Sequence, residues 1–193
     1  GVKLGYRVVP SVDAIRWPSE QLPLLDLANI DPARFRQGEA SAESGRLTGE
    51  TLKYMIDLAL AGKLDGICFA PLNKGAMFEG GWKFYDEHQM FAKLTAHEGF
   101  FGEMNVIREF STFRVTSHVA LRDAVNLVTP ERIKSAIKLA DTTLRAAGYG
   151  KPRIGVAALN PHSGENGLFG DEEIRVIRPT VEKMRAQGVN CTG

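Results

Sequence analysis

The stretch 129–165, TPERIKSAIKLADTTLRAAGYGKPRIGVAALNPHSGE, decides the fold class. It reads as a helix, a turn, a strand and a polar loop. Thr129 is an N-cap whose hydroxyl takes a first-turn N–H, and Pro130 suits the first helical position, where a missing N–H is harmless. Ile133, Ala136, Ile137, Ala140 and Leu144 recur at three- and four-residue spacing, which makes one apolar stripe. Gly148 suits the position just past the helix end, where the backbone turns left-handed. The spacing therefore predicts a helix over roughly 130–147, then a strand over Arg153–Ala158, then a polar loop from Leu159.

The same alternation extends outward. Leu4–Val9, Leu22–Leu27, Met104–Phe110 and Thr112–Val119 read as strands, and Gly66-Ile67-Cys68-Phe69-Ala70 as a buried strand ended by Pro71. Residues 42–62 and 86–97 read as helices, as does 171–187 with a break before Pro179, since proline disfavours helix in the residue before it. Strands alternating with helices mean α/β with a mainly parallel sheet. The stretch Gly80–Tyr85 reads as a crossing between two lobes, 1–80 and 81–193.

Composition narrows the functional classes. The chain has 193 residues and a net charge of +1, with no basic run, so no nucleic-acid footprint is expected. No apolar stretch approaches the roughly 20 residues that cross a bilayer, so no membrane partner is expected. Gly1-Val2-Lys3-Leu4-Gly5 carries no apolar signal core. Cys68 and Cys191 lie too far apart in sequence for a metal-type pair, and Cys68 in its apolar run reads as a buried thiol. A reduced, cytoplasmic setting is the expectation.

In open α/β sheets, ligands sit beyond the carboxyl ends of the strands. Three polar clusters fall at such places: Ala70-Pro71-Leu72-Asn73-Lys74-Gly75, Thr116-Ser117-His118 and Leu159-Asn160-Pro161-His162-Ser163-Gly164-Glu165. Of the four histidines, His118 and His162 end separate strands, where two imidazoles could share a metal. Pattern alone leaves each of them either a ligand or a hydrogen-bonded structural residue. Lys74 reads either as a surface lysine or as a cation held for an anionic substrate. His97, near a helix end, reads as a partner of the helix dipole. No GxGxxG follows a strand, so no nicotinamide site is legible from these residues.

At these clusters the chain resembles the 4-hydroxythreonine-4-phosphate dehydrogenase family of vitamin B6 synthesis and its sugar-acid relatives. Ala70-Pro71-Leu72-Asn73-Lys74-Gly75 is similar to the family's Ala/Gly-Pro-x-x-Lys turn. Thr116-Ser117-His118 and the following Leu121-Arg122-Asp123 resemble its Thr-Thr-His and Leu-Arg-Asp. Leu159-Asn160-Pro161-His162-Ser163-Gly164-Glu165-Asn166-Gly167 resembles its Leu-Asn-Pro-His-Ala-Gly-Glu-x-Gly, and Gly170-Asp171-Glu172-Glu173-Ile174 continues the match. The resemblance implies a two-lobed α/β/α sandwich similar to isocitrate and isopropylmalate dehydrogenases. It implies a homodimer, with the interface and the metal histidines in the central lobe, 81–193, and part of the outer lobe in 1–80. It also implies that His118 and His162 bind a divalent metal (Zn, Co, Mn or Mg). The implied reaction passes a hydride from a small hydroxy acid to NAD or NADP, and the β-keto acid formed then loses CO2.

Two departures bear on the substrate and on completeness. The family's Gly-His-Thr-Glu stands where this chain has Asp86-Glu87-His88-Gln89, which sets Glu87 and His88 at the substrate-touching pair. A slip of one residue would set His88 in the histidine's place. Two carboxylates there disfavour a phosphate by like-charge repulsion, or else they simply open the helix that follows. The resemblance also implies a chain truncated at both ends and inactive alone, with the third metal histidine outside this sequence. Three outcomes stay open: the parent type of hydroxy-acid dehydrogenase, a dehydrogenase of an unphosphorylated sugar acid or cis-dihydrodiol carboxylate, and a non-catalytic scaffold.

Overall fold

Helical periodicity and capping residues survive intact in the computed structural model, which describes residues 4–193; the first three residues of the opening pentapeptide lie outside it. Helix α1 spans Ala42–Leu60, and Ser41 and Ser44 close a reciprocal capping box at its start. Helices α2 (Lys74–Glu79) and α3 (Glu87–Leu94) are capped by Asn73 and Asp86, whose side chains accept from Ala76 N and Gln89 N. A short α4, Leu121–Ala124, precedes α5, Pro130–Ala146, which Thr129 caps as its sequence requires. The expected break before Pro179 takes the form of a π-helical turn over Glu173–Ile177, after which α6 runs from Arg178 to Ala186.

The strands depart further from expectation. Among the described residues they form three separate two-stranded ladders. β1 (Tyr6–Val9) lies parallel to β2 (Leu22–Leu25), β3 (Met104–Val106) lies antiparallel to β4 (Ser111–Phe113), and β5 (Ile154–Gly155) lies parallel to β6 (Cys191–Thr192). The sheet expected to be mainly parallel is thus two parallel pairs and one antiparallel pair, each shorter than its apolar run. The expected strand Gly66–Ala70 has no ladder partner, so it forms no strand. Cys68 is exposed there, against the expectation of a buried thiol, because Ile67 and Phe69 take the inward positions of the alternation. The buried thiol is Cys191, at the start of β6. No described helix is long and apolar enough to cross a membrane.

The chain divides into two units, the first reaching to His97 and the second running from Glu98 to Gly193. The expected crossing at Gly80–Tyr85 lies within the first. Its core is Leu52, Met77 and Met90, with Trp82 and Phe84 packed against them. Fully burying each such side chain contributes about 1.5–3 kcal/mol. Two glycines of α1 permit this packing. A Cβ on Gly45 would strike the backbone of Ala76, and one on Gly49 would strike the indole of Trp82. That indole donates to the Arg46 carbonyl at 3.0 Å. The second unit is built around Ile133 and Ile137 of α5, Ile177, Val181 and Met184, and Cys191.

In an open helix Gly→Ala stabilises by about 1 kcal/mol. Gly49→Ala in this protein instead destabilises, by about 1–3 kcal/mol, because the methyl group overpacks against Trp82. Urea unfolding of the two proteins measures the sign.

Candidate functional site

In the first unit three of the expected site residues lie around the start of α3. Asp86 spends one carboxylate oxygen capping the helix, 2.8 Å from Gln89 N, and is buried. The helix-opening reading therefore holds for Asp86. Glu87, the first residue of α3, meets Lys74 of α2 with Nζ and Oε2 3.1 Å apart. Burial alone would raise the Glu87 pKa, but the N–H groups at the helix start and the Lys74 ammonium outweigh it, and the group is held below the ordinary glutamate value. The His88 ring nitrogen Nδ1 lies 3.8 Å from Asp86 Oδ1. The space among Leu72, Lys74, Met77, Trp82, Glu87 and Met90 is a cavity of about 10 Å³, room for one water at most. Lys74 is thus already engaged by a carboxylate.

In the second unit His118 and His162 are exposed, and each holds a left-handed backbone, with φ of 52° and 51°. For His118 the strand β4 ends at Phe113, and the chain bends through Thr116-Ser117-His118 before α4. Arg132 of α5 fixes the approach by donating from Nε to the Val115 carbonyl at 3.1 Å. The Ser117 hydroxyl lies 3.0 Å from His118 Nδ1 and holds the ring's orientation.

His162 sits in a rarer element. His162, Ser163, Gly164, Glu165 and Asn166 all take left-handed φ and ψ, so the loop winds as a short left-handed turn. Such backbone costs L-residues about 1–2 kcal/mol each. It persists only where surrounding structure over-determines it, and such strain gathers at functional sites. Backbone bonds from Ser163 N to the Asn160 carbonyl and from Phe169 N to the Gly164 carbonyl close the turn, and the chain just before it is anchored by Glu173, which is 5% exposed. Its Oε1 accepts from Leu159 N at 2.8 Å and from Asn160 N at 2.7 Å. Its Oε2 accepts from Asn160 Nδ2 at 2.9 Å, and Glu172 accepts from the same nitrogen at 2.6 Å. Hydrogen bonds to a charged group contribute about 1.5–3 kcal/mol each, so the four together are of the same order as the strain. Burial would raise the Glu173 pKa, yet the donors from Asn160 and Leu159 outweigh it and keep the carboxylate ionised below the usual range. Sequence reading noted Glu172 and Glu173 only as part of a motif. Their partner lies 12 and 13 residues away, and no local pattern links the two.

Each imidazole, on strained and exposed backbone, is a donor that suits a first-row divalent cation, and two such ligands alone would leave a site under-filled.

The comparisons with known proteins agree on one family. The family model described as pyridoxal phosphate biosynthetic protein PdxA matches residues 6–193. A protein of Pseudomonas aeruginosa, provisionally named 4-hydroxythreonine-4-phosphate dehydrogenase 2, is 42% identical over the whole chain, which covers 57% of that relative. The D-threonate 4-phosphate dehydrogenase of Pectobacterium atrosepticum is 35% identical over 98% of the chain and 60% of the relative. The crystal structure of 4-hydroxythreonine-4-phosphate dehydrogenase from Klebsiella pneumoniae superposes with a TM-score of 0.87 at 35% identity, over 100% of this chain and 58% of that one. The chain thus spans a little more than half the length of the proteins it matches.

The lowered Glu173 pKa fixes a pH dependence. A carboxyl whose pKa is lower folded than unfolded contributes its stability in full above the unfolded value, and loses it as pH falls through the folded value. Glu173→Gln removes that contribution, so the acid limb of stability flattens relative to the parent. Denaturant midpoints taken from neutral pH down through the carboxyl range measure the difference.

Proposed function

The chain belongs to the family of the pyridoxal phosphate biosynthetic protein PdxA, and from that membership we propose an NAD-linked, metal-dependent dehydrogenase. Its substrate is a hydroxy acid of the 4-hydroxythreonine-4-phosphate type, oxidised at a CH–OH group, with decarboxylation of the keto acid as the second step. One observation carries the reading. In Asn160-Pro161-His162, the most specific stretch of the resemblance, Asn160 is pinned by a buried carboxylate and His162 opens a strained left-handed turn. Core packing alone gives no reason for such an arrangement.

The roles follow the side chains. His118 and His162 hold the metal, with the family's third histidine supplied from outside this sequence. Bound there, a divalent cation such as Zn, Co, Mn or Mg supplies Lewis acidity to the substrate oxygen. Lys74, with Glu87 and His88 beside it, binds the substrate's polar end. The fold assigned with this reading is the two-lobed sandwich of the isocitrate dehydrogenase type. The central lobe, 81–193, carries the metal histidines and a homodimer interface, and the setting is cytoplasmic.

The Lys74–Glu87 pair favours a second reading of the substrate. A phosphate must draw Lys74 from Glu87, whereas a hydroxyl-rich, unphosphorylated acid finds both a donor and an acceptor there. The names of the relatives, a 4-hydroxythreonine-4-phosphate and a D-threonate 4-phosphate dehydrogenase, support the phosphorylated class. Of the two carboxylates expected to repel a phosphate, Asp86 caps α3 and Glu87 is paired with Lys74.

The full-length protein, supplied with NAD and divalent metal, should reduce NAD on 4-hydroxythreonine 4-phosphate or D-threonate 4-phosphate. His118→Ala and His162→Ala should each abolish that reduction while the circular dichroism spectrum stays that of the parent. Full activity in either variant refutes the metal assignment. Lys74→Ala should lower kcat/KM for the phosphate ester roughly tenfold, the weight of about 1.4 kcal/mol, and Glu87→Gln should raise it. Faster turnover of the unphosphorylated acids than of either ester selects the second substrate reading.

A further inference from the structure

Glu173 is an ionised carboxylate buried in the second unit, and it accepts from Leu159 and Asn160, just before His162. The helical geometry beneath it is unusual. Successive residues of an α-helix point about 100° apart, yet Glu172 and Glu173 both reach the one Asn160 amide nitrogen. The π-helical turn that begins at Glu173 accompanies this convergence, and inserted turns of this kind gather at functional sites. The space around the carboxylates is kept clear by two glycines with positive φ. A Cβ on Gly170 would lie 2.6 Å from Asn160 Nδ2 and 2.7 Å from Glu172 Oε2. One on Gly164 would lie 2.5 Å from the Gly170 carbonyl and 3.1 Å from Glu173 Oε2. His162 itself is exposed, so core packing does not aim its ring.

We propose that Glu173 is the positioning residue for His162: its carboxylate fixes Leu159–Asn160 in the segment that follows β5, and the left-handed turn that presents the imidazole departs from that fixed point. Its consequence for metal binding rests on the reading of His162 as a ligand. The helix that carries Glu173 is seated by Ile177 and Val181 in the core, so the imidazole is referenced to the core through one carboxylate. A carboxylate that merely tied a loop down would alter stability alone. A positioning carboxylate alters metal affinity in a protein that still folds.

The test uses the full-length protein with Glu173→Gln and Glu173→Ala, and His162→Ala as the reference. Three quantities are read: backbone amide exchange over 159–170 in metal-free protein, cobalt(II) affinity from its visible absorption without substrate or NAD, and kcat at saturating metal. Both Glu173 variants should exchange faster over 159–170. Their cobalt affinity should fall roughly tenfold or more, as for other outer partners of metal ligands, and kcat should recover toward the parent as metal is raised. Unchanged exchange overturns the proposal. So does faster exchange with parental cobalt affinity in a series where His162→Ala has lost it. If His162→Ala binds cobalt as the parent does, the metal reading fails, and the clamp is decided by exchange: faster upholds it, unchanged overturns it. If Glu173→Ala does not fold, Glu173→Gln, which keeps the volume and one acceptor oxygen, carries the test.

Discussion

Two adjacent carboxylates accept four hydrogen bonds from Asn160 and its neighbour Leu159, and the loop of the second unit that carries His162 starts from them. β5 is only two residues long and pairs with β6 alone, so its ladder holds it weakly at its exit. Three residues past the last ladder hydrogen bond, at Val156 N, Glu173 accepts from two consecutive backbone N–H groups, those of Leu159 and Asn160. The side chain thus fixes backbone that lies beyond the ladder. It does so from a helix, which is why the π turn, the two glycines and the seating of Ile177 and Val181 belong to one constraint. A buried charge is tolerable only when paired or fully hydrogen-bonded, and here the donors that satisfy it are the groups that the loop needs to have fixed.

The first unit handles charge differently. Lys74 and Glu87 face one another across the starts of two helices, both partly exposed. A pair of that kind contributes little to stability, at most about 1 kcal/mol. It offers a donor and an acceptor side by side with almost no net charge. Asp86 lies beside them with one carboxylate oxygen on the N-terminus of α3 and the His88 ring 3.8 Å away.

What was legible in the sequence divides along the range of the interactions. α5 could be placed to within a residue because Thr129, Pro130, the apolar stripe and Gly148 all act within a few residues of one another. The strands could not, since a strand exists only with a partner. The run Gly66–Ala70 has the composition of a strand and no neighbour to pair with among the described residues. That same error misplaced Cys68, whose burial was inferred from the strand. The candidate histidines were found because they follow apolar runs, but their backbone was not. His118, His162, Ser163, Glu165 and Asn166 adopt conformations that sequence reading reserves for glycine. The carboxylates that hold the longest of these stretches come from 12 and 13 residues downstream, beyond the reach of any local pattern.

That separation of cause and effect has a consequence for how this part of the molecule tolerates change. His118 and His162 are exposed and make little packing, so losing either imidazole leaves the fold almost untouched. Glu173 is the reverse: it presents nothing to solvent, yet the geometry of an exposed residue depends on it. Gly164 and Gly170 stand between these extremes, because a methyl group at either would meet atoms of the clamp while the backbone there also demands positive φ. Strain at the turn is thus offset by hydrogen bonds that Glu172 and Glu173 accept from Leu159 and Asn160, just before it. The second unit can hold an imidazole away from its core without giving up the precision that a packed side chain would have.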